Sequence, residues 1–253
     1  MASQGSAWYV DFFRSDYLNV YGHMFTEERA EKESAFAARA LELKAGASVL
    51  DLCCGQGRHS VQLAKRGLKV TGLDLNPDYV ALAREAAGAA KVEIETVAAD
   101  MREIPFENKF DAIVNMYSSF GYLESEGEDL KVLESAAKAL KAGGRLLLDM
   151  LNREWAIDNY IQNDWHTGAD GTLYIERRDL DLATSRMHVH FIVVDPKGGR
   201  RESIGHIIRL YTLTEMTRLL ESVGLRMASV FGGFEGEVYA IGTRRMIIVA
   251  KKI

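Results

Sequence analysis

Asp51, Asp74 and Asp100 each close a short apolar run, "SVLD", "VTGLD" and "TVAAD", and the first leads into "LCCGQGRHS", where Gly55 and Gly57 stand two apart in a loop of little bulk. A carboxylate at a strand end accepts hydrogen bonds. Glycines after a strand let backbone approach a ligand closely. These types in this order read as a site for a small molecule that offers donors and, opposite Asp51, a cationic group. A dinucleotide is a poorer match. Its Gly-x-Gly-x-x-Gly fingerprint would place a third glycine where Ser60 stands, and Asp51 would oppose the pyrophosphate.

Further polar groups gather after the fourth apolar run, "FDAIVNM": Asn115, Tyr117, Ser118, Ser119 and Tyr122. A tyrosine is a poor base at neutral pH, with an unperturbed pKa of ~10, so Tyr122 suits positioning better than proton abstraction. His188 and His190 share a strand face by the period of two, and with His206 they are the other titratable candidates. No third ligand at metal spacing accompanies them, and no metal site is expected. His59 opens the helix after the glycine loop and reads as a solvent-facing or supporting residue. Cys53 and Cys54 are adjacent, without the Cys-x-x-Cys spacing of a metal site, and read as small loop fillers rather than nucleophiles.

The elements that must position these groups follow from pattern. Strands are expected at 48–52, 69–74, 91–97, 110–116 and 144–151, with helices in the gaps. Asn76 caps and Pro77 opens "PDYVALAREAAGAA"; "DLKVLESAAKALKAGG" is expected to end on Gly143; "TEERAEKESAFAARALEL" starts after Thr26 with acids in its first turn. This alternation predicts an α/β fold with a mostly parallel sheet. After 151 three alternating runs, "GTLYIERRDLD", "SRMHVHFIVVD" and "RRESIGHIIRLY", predict antiparallel strands, the last two joined by a turn at "DPKGGRR". A helix at 213–224 and strands "RMASVFG" and "RRMIIVAKK" complete the pattern.

Composition narrows the class. The chain has 253 residues, 47% hydrophobic and 26% charged, enough to bury a large core. A formal charge of -5 gives no global attraction for a polyanion, although a local basic patch could exist, so no DNA partner is expected and RNA is disfavoured. Two adjacent cysteines fit a reducing compartment. No run approaches the ~18 apolar residues of a membrane span, and "MASQGS" lacks the features of a signal peptide. A cytoplasmic protein without a membrane partner is expected, with a homodimer left open.

The same residues carry a resemblance. "VLDLCCGQGRHS", "VTGLDLNPDYV", "VAADMREIPF" and "FDAIVNMYSSFGYL" resemble the four successive motifs of the class I S-adenosylmethionine-dependent methyltransferases, and the likeness covers essentially the whole chain. It implies a Rossmann-like three-layer sandwich with a mostly parallel seven-stranded sheet and an antiparallel β insertion after strand five. Residues 1–46 would form an N-terminal lid and first helices, 47–151 the cofactor core, 152–212 the insertion covering the acceptor, and 213–253 the final helix and strand pair of one domain. Asp51, Cys53, Gly55 and Gly57 would line the methionine and ribose of S-adenosylmethionine, Asp74 and Leu75 the ribose, Asp100 and Met101 the adenine, and Asn115 and Tyr21 the remaining wall. Tyr17, Tyr117, Ser118, Tyr174, Glu176 and Arg178 would face the acceptor.

Methyl transfer needs an aligned lone pair more than a strong base, and alignment can supply ~7 to 11 kcal/mol. "MYSSFGYL" resembles the matching stretch of sugar-nucleotide N,N-dimethyltransferases, in which a histidine often occupies the position of Tyr122. Tyr122, His188 and His190 are the candidates for positioning or proton removal. The prolines typical of nucleic-acid amino-methylating enzymes are missing from Asn115-Met116-Tyr117-Ser118. The expected activity is methylation of a small-molecule acceptor, nitrogen before oxygen, releasing S-adenosylhomocysteine without a metal. A non-catalytic S-adenosylmethionine-binding or regulatory protein and an RNA-directed methyltransferase are the alternatives.

Overall fold

The structure is a computed structural model that describes residues 8–15, 17–168 and 170–253. The chain forms two compact units. One comprises Glu27–Asp158 and Tyr211–Ile253, and the other the residues through Thr26 with Asn159–Leu210. The segment expected to run as one N-terminal piece to 46 thus divides at Thr26. Among the described residues no helix is long and apolar enough to cross a membrane.

The larger unit contains α3 (Glu27–Ala40), β1 (Ser48–Leu52), α4 (Arg58–Lys65), β2 (Lys69–Asp74), α5 (Pro77–Ala89), β3 (Ile94–Ala98), β4 (Phe110–Asn115), α6 (Glu126–Ala139), β5 (Leu140–Leu151), α7 (Arg153–Asp158), α8 (Leu213–Ser222), β10 (Leu225–Phe231) and β11 (Arg245–Lys252). Its seven strands lie in the order β10-β11-β5-β4-β1-β2-β3, parallel except where β11 runs against both neighbours. This is the Rossmann-like sheet flanked by helices that the alternating pattern requires. Strands buried on both faces read as continuous apolar runs. "MIIVA" at 246–250 is at most 1% exposed throughout, and Val49, Val70, Val114 and Leu147 meet Phe36 of α3 and Leu63 of α4 in one core.

Caps set the helix boundaries. Asn76 accepts from the Asp78 amide ahead of α5, Ser125 from the Glu128 amide ahead of α6, and Thr212 with Glu215 forms a capping box on α8. Two expected boundaries move. The third strand starts at Ile94 because Lys91, at φ 57°, and Val92 turn back to bond the Gly88 and Ala87 carbonyls and close α5. The expected helix around 129–143 begins three residues earlier and ends at Ala139. Leu140 already pairs with Phe110, and a register irregularity between Phe110 and Ala112 takes up the extra residues around Gly143.

The smaller unit contains α1 (Trp8–Ser15), α2 (Tyr17–Tyr21) and four antiparallel strands, β6 (Asn163–Thr167), β7 (Leu173–Asp181), β8 (Arg186–Val194) and β9 (Arg200–Arg209), in sequence order. One face is apolar: Met187, Val189, Phe191 and Val193 of β8 are buried. Phe12 of α1 stacks on Phe191 at 6.4 Å. β6, not expected from the sequence, is a short edge strand whose residues "NDWHT" are mostly exposed and carry no apolar alternation.

In the larger unit Tyr211 is fully buried and donates to Asp129 Oδ2 at 2.7 Å, and Asp129 is itself fully buried. Replacing Tyr211 with Phe takes a donor from a buried carboxylate without changing shape. The expected loss is about 1 to 3 kcal/mol, checked as a fall in the urea midpoint of the full chain at unchanged m-value.

Candidate active site

Parallel register brings the candidate residues to one edge of the sheet. Asp51 pairs across to Gly72 on one side and Val114 on the other, and Asp74 to Ala98. The chain runs from β1 outward through β2 and β3, then returns to place β4 on the opposite side of β1. Connections leaving β1 and β4 therefore diverge, and the crevice outside their carboxyl ends is where open α/β sheets bind ligands.

The glycine loop is built for close approach. Cys53, Gly55 and Gly57 have φ of 63°, 54° and 80°. A Cβ on Gly55 would point into open space, whereas one on Gly57 would sit 2.7 Å from Ala83 Cβ, so the second glycine is required by packing of the loop on α5. Asp51 is buried and accepts from Ser60 Oγ at 2.6 Å. The position at which a dinucleotide fold has its third glycine is thus used here to hold the acid. Burial pushes the Asp51 carboxyl up, opposed by His59, Ser60 and Arg58. Burial likewise drives both cysteine thiols well up. They stay protonated at neutral pH, Cys53 Sγ 3.5 Å from Met101 Sδ and Cys54 against Gly72.

At the next strand ends, Asp74 accepts from the Gly55 amide at 2.8 Å and the Asn76 amide at 2.9 Å, one on each oxygen. Leu75 is exposed. Asp100 caps a 3-10 turn at Met101–Glu103 and takes a bidentate contact from Arg102, Nε at 3.0 Å and Nη2 at 2.6 Å; its carboxyl lies below the usual range because Arg102 outweighs its burial. Asn115 Nδ2 donates to the Leu52 carbonyl at 3.0 Å, tying β4 to β1, and its buried Oδ1 has no partner in the structure.

These residues fit S-adenosylmethionine. The open backbone at Gly55 leaves room for a ligand, each Asp74 oxygen retains a lone pair for a hydroxyl donor, and a buried amide oxygen awaits a donor. Two acids in the crevice suit a cation and oppose a pyrophosphate. Among the described residues no group of three His, Cys, Asp or Glu is placed to hold a metal ion.

A second cluster, missed by the sequence reading, surrounds Glu33 on α3. Its carboxylate is 2% exposed and accepts from Arg29 Nε at 2.6 Å, Arg58 Nη1 at 2.9 Å and His59 Nε2 at 2.7 Å. His59 is therefore buried and hydrogen-bonded to Glu33 rather than facing solvent. Arg29 and Arg58 both approach the Tyr117 ring, with Cζ 5.2 and 4.9 Å from its centroid. Tyr117 and Ser118 take φ of 60° and 59°, a costly conformation held by Asp149, which accepts from the Tyr117 amide on its side chain and the Ser118 amide on its carbonyl. Arg245 of β11 binds Asp149 and donates to Ser118 Oγ at 3.0 Å. Burial raises the phenols of Tyr117 and Tyr122. The available signals were Arg29–Glu33 at helical i,i+4 spacing and a lone acid in the apolar run "LLLDML".

In the smaller unit the strand candidates separate onto two faces. Glu176 pairs across to Phe191 and Arg178 to Val189, so Tyr174, Glu176 and Arg178 share the apolar face; His190 pairs with Arg177 and His188 with Asp179 on the opposite one. Tyr174 stacks on His166 at 5.0 Å, and Arg178 grips Glu176 with Nε at 2.8 Å and Nη2 at 2.7 Å. Tyr17 and Tyr21 lie 5.6 Å apart, and Tyr21 reaches Phe191 and His206 at 6.1 and 6.0 Å. Burial, then Arg178 and His190, pushes His206 down to about 3, so it is neutral at pH 7.

Glu33 gives this region a measurable acid limb. Burial raises its carboxyl, but His59, Arg58 and Arg29 outweigh that and hold it at about 2 against an ordinary 4.5. A depressed folded pKa contributes stability that is present above the ordinary value and lost as pH falls through the folded one. The difference in unfolding free energy between wild type and Glu33→Gln is expected to shrink by about 3 kcal/mol from pH 4.5 to 2, followed by urea titrations at stepped pH. A flat difference refutes the assignment.

Comparison with known proteins agrees with this geometry. Residues 49–144 match the family model described as Methyltransferase domain. A curated relative, the dTDP-3-amino-3,4,6-trideoxy-alpha-D-glucopyranose N,N-dimethyltransferase of Streptomyces venezuelae, is 28% identical over 242 residues, covering 91% of this chain and 98% of the relative. The CcbJ methyltransferase of Streptomyces caelestis aligns with a TM-score of 0.77 at 21% identity, over 88% of this chain and 89% of its own. S-adenosylmethionine-bound CalS10, an amino pentose methyltransferase from Micromonospora echinaspora, aligns with a TM-score of 0.71 at 23% identity, over 94% and 98%. With the acids and glycines of the crevice in place, residues 49–144 form a methyltransferase domain, and the chain as a whole resembles S-adenosylmethionine-dependent methyltransferases.

Proposed function

We propose that the chain transfers a methyl group from S-adenosylmethionine to the nitrogen of a small-molecule amine. The choice of nitrogen is carried by the amino-sugar N,N-dimethyltransferase relative, and the phenols beside the crevice are in keeping with it. Tyr117 and Tyr122 are both held above their ordinary values by burial, so neither is a base at neutral pH. A hydroxyl acceptor would need one, whereas an amine need only lose its proton to solvent before attack. The Streptomyces venezuelae relative, whose name specifies N,N-dimethylation of an amino sugar, supports the same choice.

In this reading Asp74 and Leu75 hold the ribose, Met101 and Asp100 the adenine, and Asp51, Cys53, Gly55, Gly57 and Asn115 the remainder of the cofactor. The sulfonium supplies an activated methyl carbon, and the acceptor nitrogen displaces it in line. The protein's part is orientation and exclusion of water. Tyr117, Ser118 and Tyr122 position the acceptor. Cys53 and Cys54 are free thiols, in keeping with a cytoplasmic site of action.

Two substitutions test the reading. Asp74→Ala removes a charged acceptor of two ribose donors and also releases the Gly55 and Asn76 amides. Calorimetry should show S-adenosylhomocysteine binding weakened by about 1.5 to 3 kcal/mol, with the fold retained; unchanged affinity removes Asp74 from the site. Tyr122→Phe should lower turnover by less than about tenfold and leave its pH profile unmoved, because loss of a true base costs ~100-fold to 10,000-fold.

A further inference from the structure

Three cations meet in one row at the pole of the larger unit opposite the crevice, toward the amino ends of the parallel strands. Arg226 of β10 pairs across to Lys251 of β11, and Lys251 pairs across to Arg145 of β5. Directly opposed residues present their side chains on one face, about 4.8 Å from strand to strand, so the row is about 10 Å long. Its face is the one covered by α3, because Val249 and Leu147, two residues along from Lys251 and Arg145, pack with Phe36 in one core. Like charges set directly opposite destabilise a sheet. Here that happens twice in succession, in a chain whose formal charge is -5.

Little in the fold neutralises the row. Arg145 donates to Glu42, just after α3, at 2.8 Å. Arg145 first, and then Lys251, draw that carboxyl below its ordinary value. Arg226 and Lys251 are exposed, and among the described residues neither has an ion pair. Beside the row the backbone is bare: a Cβ on Gly143, at φ 74°, would stand 3.8 Å from Lys251 Cε. No residue of the cofactor crevice takes part.

From this row we infer a second ligand site, for an anion with two linked phosphoryl groups. One phosphoryl group bridges two neighbouring cations, and a row of three takes two. A guanidinium at each end and an ammonium between them suit phosphoryl oxygens. Arg145, with five donors, can serve Glu42 and the ligand together. The like-charge contacts that cost the empty sheet stability are what the anion relieves on binding.

The test titrates the full chain with inorganic pyrophosphate at constant ionic strength, in the presence of S-adenosylhomocysteine, and follows amide NMR shifts. Pyrophosphate should bind saturably, shift the amides of Arg145, Arg226 and Lys251, and bind about tenfold or more tightly than orthophosphate. Arg226→Gln and Lys251→Gln should each weaken it about tenfold. Lys69→Gln should not, although Lys69 is an exposed cation at the same pole, on β2, three strands from β5. Without anion, the urea midpoints of Arg226→Gln and Lys251→Gln should equal or exceed that of wild type, because each variant removes a like-charge contact. A fall in both refutes the strained row. The site is overturned if no saturable binding is seen, if orthophosphate binds equally well, if neither Arg226→Gln nor Lys251→Gln weakens binding, or if Lys69→Gln weakens it as much as they do.

Discussion

The buried carboxylate of Glu33 accepts hydrogen bonds from three side chains at once, two of them guanidiniums, and the crevice wall is assembled around that charge. Through Arg58 and His59 it fixes the first turn of α4, immediately after the glycine loop. Through Arg29 it sets a guanidinium beside Tyr117, at the turn after β4. A buried ion is expensive to desolvate, and losing one partner of such a network leaves an uncompensated charge. The arrangement therefore ties the end of β1 to the end of β4, the two places between which a ligand must enter. Asp149 does the matching work from β5, holding two residues in left-handed backbone conformations that nothing in their own side chains favours.

Around this framework the acids divide their labour. Asp51 points its carboxylate at Ser60 and stabilises the loop from beneath, whereas Asp74 receives the Gly55 amide from the side and presents its remaining lone pairs outward. Asp100 is already engaged by Arg102, so any further donor would share its oxygens with a guanidinium. Three carboxylates that look equivalent along the chain thus meet three environments, one buried, one bound by backbone and one salt-bridged.

The parallel sheet and the placing of these residues at its strand ends were legible in the sequence because their signals are local: an apolar run, an acid at its end, glycines, then a helix cap. Asp51, Gly55, Gly57, Asp74 and Asp100 fall at the ends of the strands expected for them or in the turns that follow. What was not legible depends on partners distant along the chain. Glu33 reads as one more polar residue of an amphipathic helix until Arg58 and His59 arrive from 25 residues away. The histidines of β8 read as companions of Glu176 and Arg178 until the antiparallel register puts them on opposite faces, a fact set by pairing rather than by either strand alone. The end of α6 was misplaced because Ala139 to Gly143 has helical composition, and only the pairing of Leu140 with Phe110 turns it into strand.

The position of β11 has a bearing on how the molecule is made. β5 pairs with β4 on one side and with β11 on the other, and Arg245–Lys251 matches Leu151–Arg145 across about ninety intervening residues. A nascent chain emerging from the ribosome therefore carries the apolar run "LLLDML" with one bare edge while the whole antiparallel unit is synthesised. Five strands, β6 to β10, appear before the correct one does. Non-local closure of this kind is slow, and the interval before β11 arrives is when the growing chain is most exposed to mispairing and has most to gain from a chaperone.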